Sequence, residues 1–228
     1  INGFEFSTKF SSSSVSGGDY FDIFEHYDKM KFGLFLSSAS GYGLSALFLS
    51  VLMKMTFEIE DSSRRTPFQV MGEIHQELKK EAKPESHCAL FYGAFDRRKY
   101  QMTYSNLGQT LSLHFRKASN EIELLQGADQ PLQVSANEVP QQAKDQVVQL
   151  EARDKLVFCS RGFLSLKNSS GEVWGVDQIL SLIKKNAHKE VHALRNEIFY
   201  QASQWSQEQT RDLTVIVCEV KERIMKLA

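Results

Sequence analysis

Residues 17–43 read GGDYFDIFEHYDKMKFGLFLSSASGYG. Gly17 and Gly18 are turn-prone, and Tyr20–Tyr27 and Lys31–Leu36 are apolar and aromatic runs joined by the polar stretch His26–Met30. Two such runs around a short polar turn predict a β-hairpin. After Gly43 the pattern changes: Leu44, Leu47, Phe48, Val51, Leu52 and Met55 recur at helical spacing, which predicts a helix over residues 43–55. A hairpin that runs through a glycine-rich turn into a helix is the unit from which the rest of the chain is read.

On the N-terminal side, Phe4–Phe10 alternates apolar and polar residues as a half-buried strand does, and the serine run Ser11–Ser14 leads into the glycines. On the C-terminal side, Ser62–Thr66 is a polar loop and Pro67 suits the first turn of a second helix. That helix carries Phe68, Val70, Met71, Ile74 and Leu78 and ends in the charged run Lys79–Lys83 before Pro84. Cys88–Phe95 and Tyr100–Leu107 flank the charged turn Asp96–Lys99, and Leu111–Phe115 and Glu121–Leu125 flank another, so two more hairpins follow. The glutamine-rich stretch Gln141–Gln149 joins or opens a strand, and Lys155–Cys159 is a short apolar strand. Val176–Asn186 and Val191–Trp205 read as helices, and β-branched Leu213–Val220 closes the chain as a strand. With no internal repeat and no long linker, residues 1–228 read as one domain of the α+β class, helices packed on antiparallel sheets.

Composition bounds the function. The 228 residues are enough for a sizeable core, and 42% hydrophobic with 24% charged is ordinary for a globular protein. A formal net charge of -1 supplies no bulk field for nucleic acid or an anionic membrane. The longest apolar stretch, Gly43–Met55, is too short to cross a bilayer, so no direct membrane insertion of this domain is expected. No basic segment followed by an apolar run marks a signal peptide, and the expected location is cytoplasmic. A start at Ile1 reads as the C-terminal part of a longer protein. Cys88, Cys159 and Cys218 lie in apolar strand-like runs without metal-ligand spacing and read as buried free thiols.

Five short pieces, in order, resemble the SpoIIE/RsbU branch of the metal-dependent (PPM) serine/threonine protein phosphatases. GGDYFD at 17–22 is similar to that branch's GGDYYD. LFLSSASGYG at 34–43 resembles its LFIGDVSGHG. YSNLGQ at 104–109 sits where the family has YxNAGH, LVFCSRG at 156–162 where it has LLLYTDG, and RDLT at 211–214 where it has DDxT. No single piece is specific; their order and spacing over nearly the whole chain carry the resemblance. It implies a β-sandwich of two antiparallel sheets flanked by helices, with an active site at one end where aspartates hold two Mg²⁺ or Mn²⁺ ions that activate a water.

Carried over residue by residue, the site is degenerate. Asp19 matches the GGD aspartate, whereas Ser38, Arg161 and Arg211 stand where the family has aspartates. Gly41 keeps its place, and Tyr42 and Gln109 replace family histidines. Two metal ions need carboxylates to offset about four positive charges, and two guanidiniums in their place add repulsion of roughly 4 kcal/mol per unit-charge pair at ~4 Å. The resemblance therefore implies no catalytic residue and no cofactor. Asp19, Asp22 and Asp212 remain as residual candidates for a single Mn²⁺ or Mg²⁺. It also places Arg161 and Arg211 in the former metal site, where a carboxylate from Asp19, Asp22 or Asp212 is expected within ~4 Å of at least one of them. Taken alone, Asp19 has a second reading as a turn residue after two glycines, and the default reading of the two arginines is as solvated surface residues. His26, His87 and His188 read as surface residues, and His188 and His192, four apart on a helix, lack a third metal ligand.

The expected function is a catalytically inactive pseudophosphatase, a regulatory or protein-binding module in bacterial signalling. Its protein partner would be an anti-anti-sigma-type regulator or an upstream sensor domain. The alternatives are a weakly active single-metal phosphatase and a phosphoprotein reader that uses Arg161 and Arg211 to bind phosphate.

Overall fold

The computed structural model describes residues 1–15, 17–39, 65–108 and 110–221. The helix expected over residues 43–55, and with it Gly41, Tyr42 and Gln109, lie outside the described residues. Within them, strands form two facing antiparallel sheets. One has the order β1 (Phe4–Ser11), β11 (Leu213–Val220), β10 (Lys155–Cys159), β6 (Leu111–Arg116), β7 (Glu121–Leu124). The other runs β2 (Asp19–Glu25), β3 (Lys31–Ala39), β4 (His87–Asp96), β5 (Gln101–Leu107), β9 (Gln146–Gln149), and the short β8 (Leu132–Gln133) pairs with β4. Among the described residues three α-helices lie outside the sheets: α1 (Pro67–Glu81), α2 (Val176–Asn186) and α3 (Val191–Trp205). This is the two-sheet α+β sandwich expected from the sequence.

Alternation along each strand sorts the side chains into layers. On β3, Phe32, Leu34 and Leu36 face the opposite sheet and meet Leu156, Phe158, Ile216 and Cys218 in the central layer. Phe35, on the other face of β3, belongs to the layer under α1, with Val70, Met71, Ile74 and Leu78. Val157, Val215 and Val217 form the third layer with Ile179 and Ile183 of α2 and Leu194 and Ile198 of α3. β3, β10 and β11 are buried on both faces, which is why they read as nearly continuous apolar runs. All three cysteines are free and buried, as expected.

Local chemistry fixes the start of α1. The Thr66 hydroxyl accepts from the Gln69 N–H at 3.4 Å, and the Gln69 side chain accepts from the Thr66 N–H at 2.9 Å. This reciprocal capping box sits directly before Pro67, whose missing N–H costs nothing at the first helical position. Two histidines differ from a surface reading. His26 is half-buried, with Nε2 3.1 Å from Tyr92 Oη and its ring stacked on Phe24, because the end of the first hairpin lies across β4. His87 is also half-buried, since it opens β4 beside Gln133 of β8.

His75 of α1 is fully buried, and neither ring nitrogen has a hydrogen-bond partner. Burial, with Lys79 nearby, pushes its pKa below the ordinary value; the backbone of Gln133 and Val134 opposes this without reaching hydrogen-bond geometry. An orphaned buried donor costs about 1–3 kcal/mol, and an apolar side chain of similar size removes that cost. The unfolded imidazole takes up a proton near pH 6.5 while the folded one resists, so this group's contribution is lost as pH falls below about 6.5. His75→Leu is expected to be more stable than the parent by about 1–2 kcal/mol at pH 7.5, and by more at pH 5.5. Urea unfolding at the two pH values checks this; a variant less stable at pH 5.5 contradicts it.

Candidate functional site

One end of the sandwich gathers the residues singled out in the sequence. Asp19 opens β2 directly opposite Ser38 on β3. It shares a face with Phe21 and Ile23, which belong to the central layer, so its carboxylate enters the end of the sandwich. The Ser38 hydroxyl donates to Asp19 Oδ1 at 2.7 Å, and the Thr214 hydroxyl donates to Oδ2 at 2.8 Å. Ser38 Oγ in turn accepts the Arg161 backbone N–H at 3.2 Å. Ser160, at the end of β10, is locked to the start of β11: its N–H donates to the Thr214 carbonyl at 2.9 Å and its Oγ accepts the Thr214 N–H at 3.0 Å.

Asp212 serves a different purpose at the same end. It is buried, and its carboxylate accepts three backbone N–H groups: Ser13 at 2.7 Å, Gly18 at 2.9 Å and Asp19 at 3.3 Å. The chain between β1 and β2 is thereby tied to the start of β11. Gly18 holds φ +146°, a conformation that disfavours side chains, while its carbonyl accepts the Ala39 N–H at 3.0 Å. Gly162 is equally constrained, because a Cβ there would lie 1.9 Å from the Asp212 carbonyl oxygen. Glycine after Arg161 is thus a steric requirement of the site.

Asp22 is not brought to the site. Residues three apart on a strand face opposite ways, so Asp22 shares the helix-side face with Tyr20 and Phe24, both packed in the layer under α1. There it accepts the Ile23 N–H at 2.8 Å, and Tyr20 Oη lies 3.5 Å away. Arg161 opens a 3-10 turn, Arg161–Ser165, and is half-buried; Arg211 is exposed. The expected ion pair is absent: among the described residues, no carboxylate oxygen lies within 4.0 Å of either guanidinium. The physical reason is that Asp19 engages hydroxyls and Asp212 engages amides, donors that the adjoining backbone holds in place. The two arginines feel each other instead. Burial lowers the Arg161 pKa, and the nearby Arg211 charge lowers it further.

Burial lifts the Asp19 pKa from 3.8 to about 6; the nearby hydroxyls of Ser160, Ser38 and Thr214 restrain the rise, and the Asp212 charge adds to it. A carboxyl group raised in the folded state destabilises folding as pH climbs through that window, because the unfolded chain releases its proton first. The loss is complete above pH 6 and amounts to at most about 3 kcal/mol, less for a group partly open to solvent. Asp19→Asn is therefore expected to be more stable than the parent by about 1–2 kcal/mol at pH 7.5, with the difference vanishing towards pH 4. Thermal melts across this range check it; a gain that grows on acidification contradicts it.

The donor set speaks to what the site can hold. Among the described residues, no three His, Cys, Asp or Glu side chains cluster as metal ligands. The sequence profile described as Stage II sporulation protein E (SpoIIE) matches residues 28–221. The chain belongs to the SpoIIE family. Solved structures agree on the fold. The SiaA-PP2C domain of Pseudomonas aeruginosa aligns with a TM-score of 0.76 at 16% identity, covering 96% of this chain and 85% of that one. The RsbU and RsbW domains of Rv1364c from Mycobacterium tuberculosis align at TM-score 0.75 and 16% identity, over 96% of this SpoIIE-family chain and 60% of that one. The phosphatase domain of SpoIIE from Bacillus subtilis aligns at TM-score 0.67 and 17% identity, covering 99% and 96%. No curated protein matches the sequence.

The structure brings Asp19, Ser38, the Arg161 backbone and Asp212 to one end of the sandwich, together with hydroxyls of Ser160 and Thr214 that the sequence did not single out. Both lie inside motif pieces already recognised. What marked them was their position: each begins or ends a strand on the inward face beside a carboxylate.

Proposed function

We propose that this SpoIIE-family domain does not hydrolyse phosphoesters and acts in the cytoplasm as a regulatory, protein-binding module of bacterial signalling. The observation that carries this reading is the state of Asp19. Its two carboxylate oxygens are each taken by a hydroxyl, from Ser38 and Thr214, and two arginines stand beside the site. A divalent ion requires several oxygen ligands, with carboxylates to offset its charge. Asp212 supplies none of that, because its oxygens hold the backbone of Ser13, Gly18 and Asp19. The described residues therefore do not fit the two-metal centre that the fold family implies, and no hydrolytic step is routed through one.

A partner surface on an otherwise retained fold is what remains. The partner in this reading is an anti-anti-sigma-type regulator or a sensor domain of the same protein. No helix among the described residues is long and apolar enough to cross a membrane. Hydrolysis of p-nitrophenyl phosphate and of a phosphoserine peptide with Mn²⁺ tests the proposal. The expected rate equals that of heat-denatured protein. Turnover well above it, and lost in Asp19→Ala, would establish the weakly active single-metal phosphatase instead.

A further inference from the structure

We infer that Asp22 guards the outer edge of β2 and keeps two copies of this chain from joining through it. Asp22 lies away from the Asp19 site, so this role does not depend on how that site is read. β2 is the first strand of its sheet, with β3 on one side and, among the described residues, no strand on the other. The His26 N–H donates to the Lys31 carbonyl at 3.1 Å at one end of the hairpin, and the Ala39 N–H donates to the Gly18 carbonyl at 3.0 Å at the other. Even-numbered residues between them therefore point their backbone groups at β3. The alternation of an antiparallel ladder turns the N–H and C=O groups of Asp19, Phe21, Ile23 and Glu25 outward. A row of such groups is a template for another strand.

Two of those four donors are taken by carboxylates. The Asp19 N–H goes to Asp212 at 3.3 Å, and the Ile23 N–H goes to Asp22 Oδ1 at 2.8 Å. Asp22 thus curls over the edge onto the residue that follows it, with the Tyr20 hydroxyl 3.5 Å from its other oxygen.

The strand's own sequence, DYFDIFE, says which occupant is being refused. Two copies related by a two-fold axis pair antiparallel, and the register centred on residue 22 uses all seven residues. It sets Tyr20 against Phe24 and Phe21 against Ile23 of the other copy, the aromatic and β-branched pairs that stabilise sheets. Asp19 meets Glu25 only at the ends, and the Asp19 carboxylate is already held by Ser38 and Thr214. This register needs the Ile23 N–H as a ladder donor. It also brings the two Asp22 residues opposite each other in a non-hydrogen-bonded pair, whose Cα atoms are about 4.5 Å apart. Like charges so placed are destabilising. Asp22 therefore opposes self-pairing twice, by holding the donor and by its charge.

Sedimentation equilibrium of the whole chain tests this, comparing the parent with Asp22→Val and Asp22→Asn, each checked by its thermal melt. Val removes both the acceptor and the charge and suits a strand, whereas Asn removes the charge alone. Self-association at least about 10-fold tighter in Asp22→Val than in the parent, with Asp22→Asn between them, is the expected result. The register is read by Asp22→Cys, since all three cysteines of the chain are buried. On mild oxidation it is expected to form an inter-chain disulfide faster than Tyr27→Cys, although Tyr27 is 71% exposed. An Asp22→Val variant that associates no more tightly than the parent overturns the inference. So does an Asp22→Cys variant that cross-links no faster than Tyr27→Cys.

Discussion

Replacing Ser38, Arg161 and Arg211 together by aspartate is expected to create a Mn²⁺ site, and with it Mn²⁺-dependent hydrolysis, neither of which is expected of the parent. The three positions meet at one end of the sandwich: Ser38 touches Asp19, Arg161 donates its backbone N–H to Ser38, and Arg211 lies beside Arg161. Without metal the triple variant adds three carboxylates beside Asp19 and Asp212, which repel one another, so it is expected to be less stable than the parent. With Mn²⁺ at about 100 times its Kd the folded state regains about 2.7 kcal/mol by mass action. The signature is thus a melting temperature that falls on substitution and rises on adding Mn²⁺, while the parent's does not move. Each single substitution leaves at least one arginine or lacks a carboxylate, and is expected to show neither the Mn²⁺ shift nor turnover. A single variant that binds Mn²⁺ as tightly as the triple would show that the charge argument is misplaced.

The second large effect concerns Asp212. Asp212→Ala is expected to destabilise the protein by about 3–5 kcal/mol, since each buried amide left without an acceptor costs about 1–3 kcal/mol and three lose theirs. The three are Ser13, Gly18 and Asp19. Asp212→Asn keeps one acceptor oxygen and is expected to recover part of the loss. Urea unfolding in the presence of EDTA separates this from a metal role. A residue kept for metal binding would be nearly neutral there, whereas a clamp costs its full amount. A loss below about 1 kcal/mol in Asp212→Ala would refute the clamp.

Much of the fold was legible because its inner strands, β3, β10 and β11 among them, are buried on both faces. Val176–Asn186, Val191–Trp205, Lys155–Cys159 and Leu213–Val220 occur with the expected bounds. The strand pairing was not legible: β1 lies beside β11, at the far end of the sequence, and nothing local encodes that partnership. The two-residue β8 was equally invisible, as its pairing is supplied by β4. At the site, the motif positions did not encode the partners of each side chain. Charge alone suggested that the arginines would meet carboxylates. The carboxylates are instead satisfied by hydroxyl and amide donors, whose positions depend on the register of β2 against β3 and of β10 against β11. Asp22 was misplaced for a simpler reason: an odd separation from Asp19 puts it on the other face of β2. The buried pair His114 and Asp154, 2.8 Å apart, was likewise hidden, because His114 sits in an otherwise apolar strand pattern.

The most direct measurement is an isothermal titration of the unmodified chain with Mn²⁺, from which contaminating ions have been removed by chelation, alongside Asp19→Ala. The hydroxyl-bound state of Asp19 and the two neighbouring arginines predict no saturable heat in either protein up to millimolar Mn²⁺. A stoichiometric site in the parent that disappears in Asp19→Ala would contradict them and return the domain to the metal-dependent phosphatases.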